Sequence, residues 1–350
     1  MPKANSSTQP HGNYTSYSRR RALVNASSSS NSTKIRSDPR LALIPRSWLE
    51  GANVLDVGCN DGAIAIFLAR DFDVGQITGV DIDPKLVGRA RSALRTAWSK
   101  IQPPPEFVQH VQSLDQSQSM TLDNTSADDH DSSEQSHFDT DFFPASMANM
   151  FGSLPFPAPD PLSTDLRQGF PNNVTFHTSD WPSQGRPFHE PASYDLILAL
   201  SVSKWIHIGS GDRGLVRFFR RAFDALRPGG RFVLEPQPWS SYKKRGAKKA
   251  IAELKAGVDG MGRSGVKSVE ELKVRPDEFE RILLEEVGFE KVEELGETGT
   301  AGQFDRSVSC TARVCLHADI TIAGFRRPMY VFTKYMAPPA GFRPLKQHDA

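Results

Sequence analysis

From residue 53 onward, apolar and polar positions alternate between two rhythms. Short apolar runs predict strands near 53–57, 77–81 and 173–177. Between the first two, an apolar pattern of helical period predicts a helix near 61–70. A second helix is predicted from Pro84 to Ser99, with proline in its first turn. The run Tyr194 to Leu200 is continuously apolar after Asp195, as in a central parallel strand. Leu215, Phe218, Phe219, Ala222, Phe223 and Leu226 recur at helical spacing and predict a helix from about Asp212 to Leu226. The string Leu226-Arg-Pro-Gly-Gly230 stops it. A strand follows at Arg231 to Glu235, then a helix near Pro276 to Val287 closed by Gly288. Terminal strands are predicted near 289–295 and 329–334. Strands and helices in alternation predict an α/β fold with a mostly parallel sheet.

Composition marks what lies outside this rhythm. Residues 1–37 are rich in Ser, Asn and Thr and predict a flexible arm with two islands, Gly12-Asn-Tyr-Thr-Ser-Tyr17 and Arg19-Arg20-Arg21. A single domain is expected over 38–335, with a tail over 336–350. Between Lys100 and Arg167 there is no Lys or Arg, and Asp, Ser, Gln and Pro dominate. Such a stretch buries little apolar surface, so about 103–168 is expected to be a disordered acidic insertion in a loop of the sheet. The chain of 350 residues has a formal charge of +1, so any attraction to nucleic acid must come from local patches. No apolar run is long enough to span a bilayer, and no secretory pattern opens the chain. Cys59, Cys310 and Cys315 give neither a disulfide framework nor a metal-binding spacing, which suits a reducing compartment.

The candidate chemistry starts at Val54-Leu-Asp-Val-Gly-Cys-Asn-Asp-Gly62, a strand end followed by a glycine-rich turn and a helix start. Glycine there lets the backbone approach a ligand. Ile77-Thr-Gly-Val-Asp-Ile-Asp83 places a second acid at a strand end, where a carboxylate suits a ribose diol. The loop lacks the middle glycine of a dinucleotide fingerprint, and Asp56 and Asp61 flank it. Carboxylates repel a pyrophosphate but attract the sulfonium and ammonium of S-adenosylmethionine. The loop therefore favours that cofactor, with NAD or a plain βα turn as the alternatives.

Four further strings carry a resemblance. These are Leu200-Ser-Val-Ser-Lys-Trp-Ile-His207, the segment 209–223, Leu234-Glu-Pro-Gln-Pro-Trp-Ser-Ser-Tyr-Lys-Lys-Arg245, and Gly324-Phe-Arg-Arg-Pro-Met-Tyr-Val-Phe332. With Gly12-Asn-Tyr14 and Phe170-Pro-Asn-Asn-Val174, they closely resemble the Bin3-type RNA methyltransferases. The resemblance implies a class I (Rossmann-like) methyltransferase with a mostly parallel seven-stranded sheet and helices on both faces. It implies S-adenosylmethionine as cofactor and methylation of a 5′-terminal phosphate, on a triphosphate or a monophosphate, of a small non-coding RNA.

The same resemblance assigns roles. Gly58, Cys59 and Asn60 would line the amino-acid end of the cofactor, with Asp56 supporting the loop. Asp81 would accept the ribose hydroxyls, and Ile82 would pack on the adenine. Asp180 and Trp181 would sit at the adenine edge, where the family has an Asn-Tyr pair, and Leu200 would close the floor. Arg40 would meet the cofactor carboxylate, and Tyr17 would fold over the cofactor. Ser18 and Arg19 depart there from the family pattern. A terminal phosphate is already anionic near neutral pH, so no general base is needed. Lys204, Lys243 and Arg245 are the candidates for holding that phosphate, because they follow strand ends at the active-site edge.

Structural readings stand beside the functional ones. Trp205 and Trp239 read as core aromatics, His207 as a hydrogen-bonded structural histidine, and Arg217, Arg220 and Arg221 as the polar face of a helix. The run Lys243 to Lys249 also suits a solvated helix start or a nuclear-import signal, so a nuclear location is expected, with the cytoplasm second. A monomer working on RNA, alone or in an RNA–protein complex, is the expected state. An RNA-binding scaffold with a vestigial fold and a small-molecule O-methyltransferase are the competing functions.

Overall fold

The computed structural model describes residues 11–12, 38, 40–101, 150–157, 169–184, 190–257, 265–297 and 327–337. The chain divides into two compact units, residues 1–91 with 159–350, and residues 92–158.

The larger unit is built on one seven-stranded sheet. Its strands are β1 (Asn53–Val57), β2 (Gln76–Asp81), β3 (Val174–Thr178), β4 (Tyr194–Leu200), β5 (Leu226–Glu235), β6 (Lys291–Glu297) and β7 (Pro328–Thr333). The order is β3-β2-β1-β4-β5-β7-β6. The first five strands are parallel, while β7 runs antiparallel to both β5 and β6. The sheet order reverses direction at β1 and β4, so their carboxyl ends open a crevice at a topological switch point. This is the class I methyltransferase architecture that the alternation and the resemblance lead one to expect.

Four main helices accompany the sheet: α1 (Ala63–Asp71), α2 (Pro84–Ser99), α3 (Ser203–Ala225) and α4 (Arg245–Lys255). The predicted helix at 212–226 begins nine residues earlier than expected, at Ser203. Gly211, at φ 68° and ψ −174°, breaks α3 within that added stretch, which is why its helical period does not read through in the sequence. The Leu226–Gly230 string does end α3, but its residues already belong to β5, and Leu226 pairs with Tyr194. The predicted 276–287 helix is a composite. A 3-10 turn at Pro276–Glu278 leads through Phe279–Arg281 into a π-type turn at Ile282–Val287. Gly288, at φ 99°, closes it.

The core is aromatic. Phe218, Phe219, Phe232, Phe279, Phe289 and Phe332 pack with centroid separations of 5.3–6.4 Å, mostly edge to face or tilted. The apolar stripe read on α3 supplies Leu215, Phe218, Phe219, Ala222 and Phe223, all buried.

In the smaller unit, the end of the expected acidic insertion is tied to α2. The Trp98 indole donates to the Pro155 carbonyl at 2.8 Å, and the Leu154 amide donates to Ser99 Oγ at 2.8 Å. The rest of that insertion, residues 102–149 and 158–168, lies outside the described residues, as do Arg19–Arg21, Cys310 and Cys315.

Candidate active site

The carboxyl ends of β1, β2 and β4 border two adjoining cavities in the larger unit. The larger is about 430 Å³, within the size range of small-molecule sites, and the smaller about 70 Å³. Both are bordered by His11, Gly58, Asp81, Val202 and Trp205, so they share one wall.

The glycine loop contributes Gly58 to that wall. Gly58 has φ 77°, and a Cβ there would stand 2.7 Å from Val202 Cγ2, so glycine is required twice over. Asn60 also adopts a left-handed conformation, at φ 53°. Its amide donates to Asp81 Oδ2 at 2.9 Å, which fastens the loop after β1 to the end of β2. Asp81 Oδ1 accepts the Asp83 amide at 3.0 Å. Burial pushes the Asp81 carboxyl up to about 6, against the lowering pull of those amide hydrogen bonds. Asp56 lies beneath the loop, 2% exposed, and its Oδ2 has no partner. Burial raises it to about 7, while Arg40 opposes the rise and Asp81 adds to it.

On the β4, β5 and β7 side of the sheet, across from Asp81 at the end of β2, the larger cavity is basic. Lys204, Lys244, Arg245 and Arg327 all line it, and among the described residues Asp81 is the only carboxylate that does. Lys204 is 8% exposed, with Nζ 4.2 Å from the Trp205 ring centroid. Burial pushes its amine down to about 8, and Arg327 and Lys244 push it further the same way. The Arg327 guanidinium donates to Ser201 Oγ at 2.8 Å, and Ser201 donates to Glu235. Glu235, fully buried at the end of β5, also accepts from Arg40 at 3.0 Å. Gln237 accepts from the Lys204 amide at 3.1 Å and from Ser203 Oγ at 3.2 Å, and donates to the Ser201 carbonyl. The Glu-Pro-Gln-Pro-Trp string thus clamps the start of α3 onto the end of β5.

Most sequence candidates converge here. Gly58, Asn60, Asp81, Leu200, Lys204 and Arg245 border the larger cavity, and Ile82 and Asp180 the smaller. Four placements differ from expectation, and a fifth residue is not described. Lys243, the last residue of the 3-10 turn Trp239–Lys243, is absent from both walls, and Lys244, which follows it, lines the larger cavity. Cys59 lines neither cavity; it is 5% exposed and packs toward Gly79. Trp181 borders the smaller cavity, but its indole is 1% exposed, edge-on to Phe218 and donating to Glu190 at 3.3 Å, so it is a core pillar. Arg40 lines neither cavity, since its guanidinium is taken by Asp38 at 2.7 Å and by Glu235. Tyr17 lies outside the described residues.

His207 and Trp239 take the structural roles expected of them. His207 bonds Asp212 at 2.7 Å through Nε2 and Tyr242 at 3.3 Å through Nδ1, and burial lowers its pKa. Trp239 is stacked on Tyr242 and covered by Arg275 at 3.7 Å. Trp205 packs on the same core cluster as Trp239 and also walls both cavities, and a Cβ on Gly12 would stand 2.0 Å from its ring. The residues that sequence reasoning missed are His11, Ser201, Gln237, Ser241 and Arg327, while Lys244 was read only as part of the basic run after β5. Four of the five missed residues lie in strings that carry the resemblance, which was the available signal.

Comparisons with known proteins agree with this architecture. A family profile described as Bicoid-interacting protein 3 (Bin3) matches residues 194–334, and one described as a methyltransferase domain matches 54–144. The "7SK snRNA methylphosphate capping enzyme" of Homo sapiens is 31% identical over 86% of this chain and 37% of its own length. The Drosophila melanogaster "U6 snRNA methylphosphate capping enzyme Amus" is 26% identical over 80% of this chain and 62% of its own. The chain therefore spans well under half of the human relative. The Arabidopsis thaliana "Probable RNA methyltransferase At5g51130" is 32% identical over 87% of this chain and 81% of its own length. That agreement, nearly end to end on both sides and joined to the Bin3 profile over β4 to β7, means that the chain belongs to the Bin3 family.

Proposed function

We propose that this chain is an S-adenosylmethionine-dependent methyltransferase acting on the 5′-terminal phosphate of a small non-coding RNA. The observation that carries the reading is the polarity of one cleft, with Asp81 on the β2 side and Lys204, Lys244, Arg245 and Arg327 on the β4, β5 and β7 side. The names of the relatives, two of them capping enzymes for small nuclear RNAs, support the same substrate class.

The acidic end fits the cofactor. Asp81 faces both cavities, and the buried Asp56 carboxylate has an unpartnered oxygen beneath the glycine loop. Asp81 would hold the ribose diol, Ile82 and Asp180 the base, and Gly58 with Asn60 the amino-acid end. When bound, S-adenosylmethionine supplies an electrophilic methyl group on a sulfonium. The remaining work is positioning. A terminal phosphate has a second pKa of about 6, so no side chain has to take a proton from it. Lys204 and Arg327 would neutralise and orient its oxygens, with Arg327 held in place by Ser201 and Glu235. Trp205 and Leu200 are the apolar groups that would exclude water from the same space.

The test is methyl transfer from labelled S-adenosylmethionine to one short RNA bearing a 5′-triphosphate, a 5′-monophosphate or a 5′-hydroxyl. Label on a phosphorylated end and none on the hydroxyl RNA is the expected result. Equal label on all three would move the reaction to a base or ribose. Cofactor binding without label on any RNA would favour a scaffold or a small-molecule substrate.

A further inference from the structure

Of the four Lys and Arg side chains that line the larger cavity among the described residues, two carry amines. The other two are arginines, which stay protonated and have no lone pair to offer. Lys244 is exposed, so water solvates its ammonium. Lys204 stands apart. It is 8% exposed, and it lines the same cavity as Gly58, Asn60 and Asp81, the residues assigned above to the cofactor.

The base of that side chain is fixed. The Lys204 amide donates to Gln237 Oε1 at 3.1 Å, and the Ser203 hydroxyl donates to the same oxygen at 3.2 Å. The stem leads to Trp205, with Nζ 4.2 Å from the ring centroid. Among the described residues, no oxygen accepts a hydrogen bond from this amine and no carboxylate pairs with it. Nor is it one of the polar atoms sealed without a partner in the interior, so it opens on the cavity. The charged groups that act on it are Arg327, just before β7, and Lys244, just before α4, and both are cations. Lys204 also stands in the first turn of α3, at the positive end of the helix dipole, and that turn holds no acid. With its pKa pushed down to about 8, about a tenth of the amine is neutral at pH 7, on the order of a hundredfold more than in an ordinary lysine. A desolvated amine among cations is an activated nucleophile.

We propose that Lys204 Nζ is itself a methyl acceptor, so that the chain modifies its own phosphate-binding lysine when no RNA end competes for the methyl group. The inference rests on the S-adenosylmethionine reading above. Lys204 first gives its ammonium proton to solvent. Its nitrogen lone pair then attacks the methyl carbon, the N–C bond forms as the C–S bond breaks, and the bonding pair leaves with sulfur. The products are an N-methylammonium on Lys204 and S-adenosylhomocysteine. The side chain keeps its charge but exchanges one of three N–H donors for a methyl group. A terminal phosphate then meets a bulkier cation with fewer donors, which damps transfer in chains that have stood without RNA.

The full chain is incubated with labelled S-adenosylmethionine and no RNA, then mapped by peptide mass spectrometry. One methyl group on Lys204 is the expected result. Its rate per chain should not change on dilution, because a buried amine reaches only the cofactor of its own chain. Lys204→Arg should abolish the label, and Lys248→Arg, on the exposed side of α4, should leave it. A second readout needs no turnover. In the cofactor-free chain at neutral pH, acetic anhydride should acetylate Lys204, and S-adenosylhomocysteine should protect Lys204 but not Lys248. Label on another residue, label that survives Lys204→Arg, a rate that falls on dilution, or acetylation of Lys204 that ignores S-adenosylhomocysteine overturns the proposal. Cofactor binding without label on the chain overturns it too, and methyl transfer to 5′-phosphorylated RNA by that same chain leaves the reading of its function standing. A chain that binds no S-adenosylmethionine in calorimetry overturns both.

Discussion

Replacing Lys204 by Met should stabilise the ligand-free protein. Lys204 is 8% exposed and faces Arg327 and Lys244, with no carboxylate near enough to raise its pKa. A fall from 10.5 to about 8 means that keeping the amine charged in the fold costs about 3 kcal/mol at neutral pH. The ammonium also lies 4.2 Å from the Trp205 ring, an interaction worth about 1 kcal/mol that the variant loses. Methionine fills a similar volume without charge. The expected net gain is therefore about 2 kcal/mol at pH 7, read by urea unfolding of the full chain. Its pH dependence has a definite sign. Below about 8 the lysine is protonated in both states, and the folded state bears the full penalty. Between about 8 and 10.5 the unfolded chain binds the extra proton, so the unsubstituted protein gains stability as pH rises. The advantage of Lys204→Met should thus be greatest below pH 8 and fade toward pH 10.5. A variant less stable than its parent at pH 7, or one whose advantage ignores pH, would refute the reasoning.

Asp81→Asn should weaken S-adenosylmethionine binding by at least tenfold in calorimetry while the chain stays folded, because the ribose diol loses its charged acceptor. Unchanged affinity would remove Asp81 from the site. Glu235→Gln removes the fully buried carboxylate that pairs with Arg40 and should cost about 3–5 kcal/mol in denaturant unfolding. A loss below 1 kcal/mol would show that Asp38 alone satisfies that guanidinium. Lys244→Glu should weaken RNA binding and flatten its salt dependence, whereas Lys243→Glu should do much less. Equal effects would mean that charge near α4 matters and position in the cavity wall does not.

The frame of the molecule was legible because its signals are local. The 194–200 strand and the Pro84–Ser99 helix occupy the residues that their apolar pattern predicts. Acids and glycines at the ends of parallel strands marked one half of the site, since every such strand delivers its last residues to the same edge. The other half was harder to read. Arg327 precedes β7, the one strand that runs antiparallel to β5, so its start, not its end, meets that edge. Neither the strand rule nor a count of charges could place it there. Lys243 ends a 3-10 turn and Lys244 is the extended residue after it, so one step separates a residue off the cavity wall from one on it and leaves no periodic trace in so short a segment. Ser201 and Gln237 act through hydrogen-bond geometry, and their residue types alone are unremarkable.

The two ends of the cleft set opposite pH limits, and this makes the reading testable in a single profile. Burial raises Asp81 to about 6 and Asp56 to about 7, so the acidic end becomes fully anionic only above those values. The terminal phosphate, with a second pKa of about 6, gains its charge over the same range. Burial lowers Lys204 to about 8, so the basic end loses a cation above that value. Methyl transfer should therefore follow a bell, rising between pH 6 and 7 and falling beyond about 8. The alkaline limb belongs to one side chain and can be moved. Lys204→Arg keeps the charge at all accessible pH values, so its activity, even if lower throughout, should hold beyond pH 9. The measurement is kcat/KM for phosphorylated RNA with cofactor below saturation, from pH 5.5 to 9.5, since that ratio reports the ionisations of the free protein. If the alkaline limb stays where it was in Lys204→Arg, the ionisation that shapes it is not that of Lys204, and the phosphate is not held by this lysine.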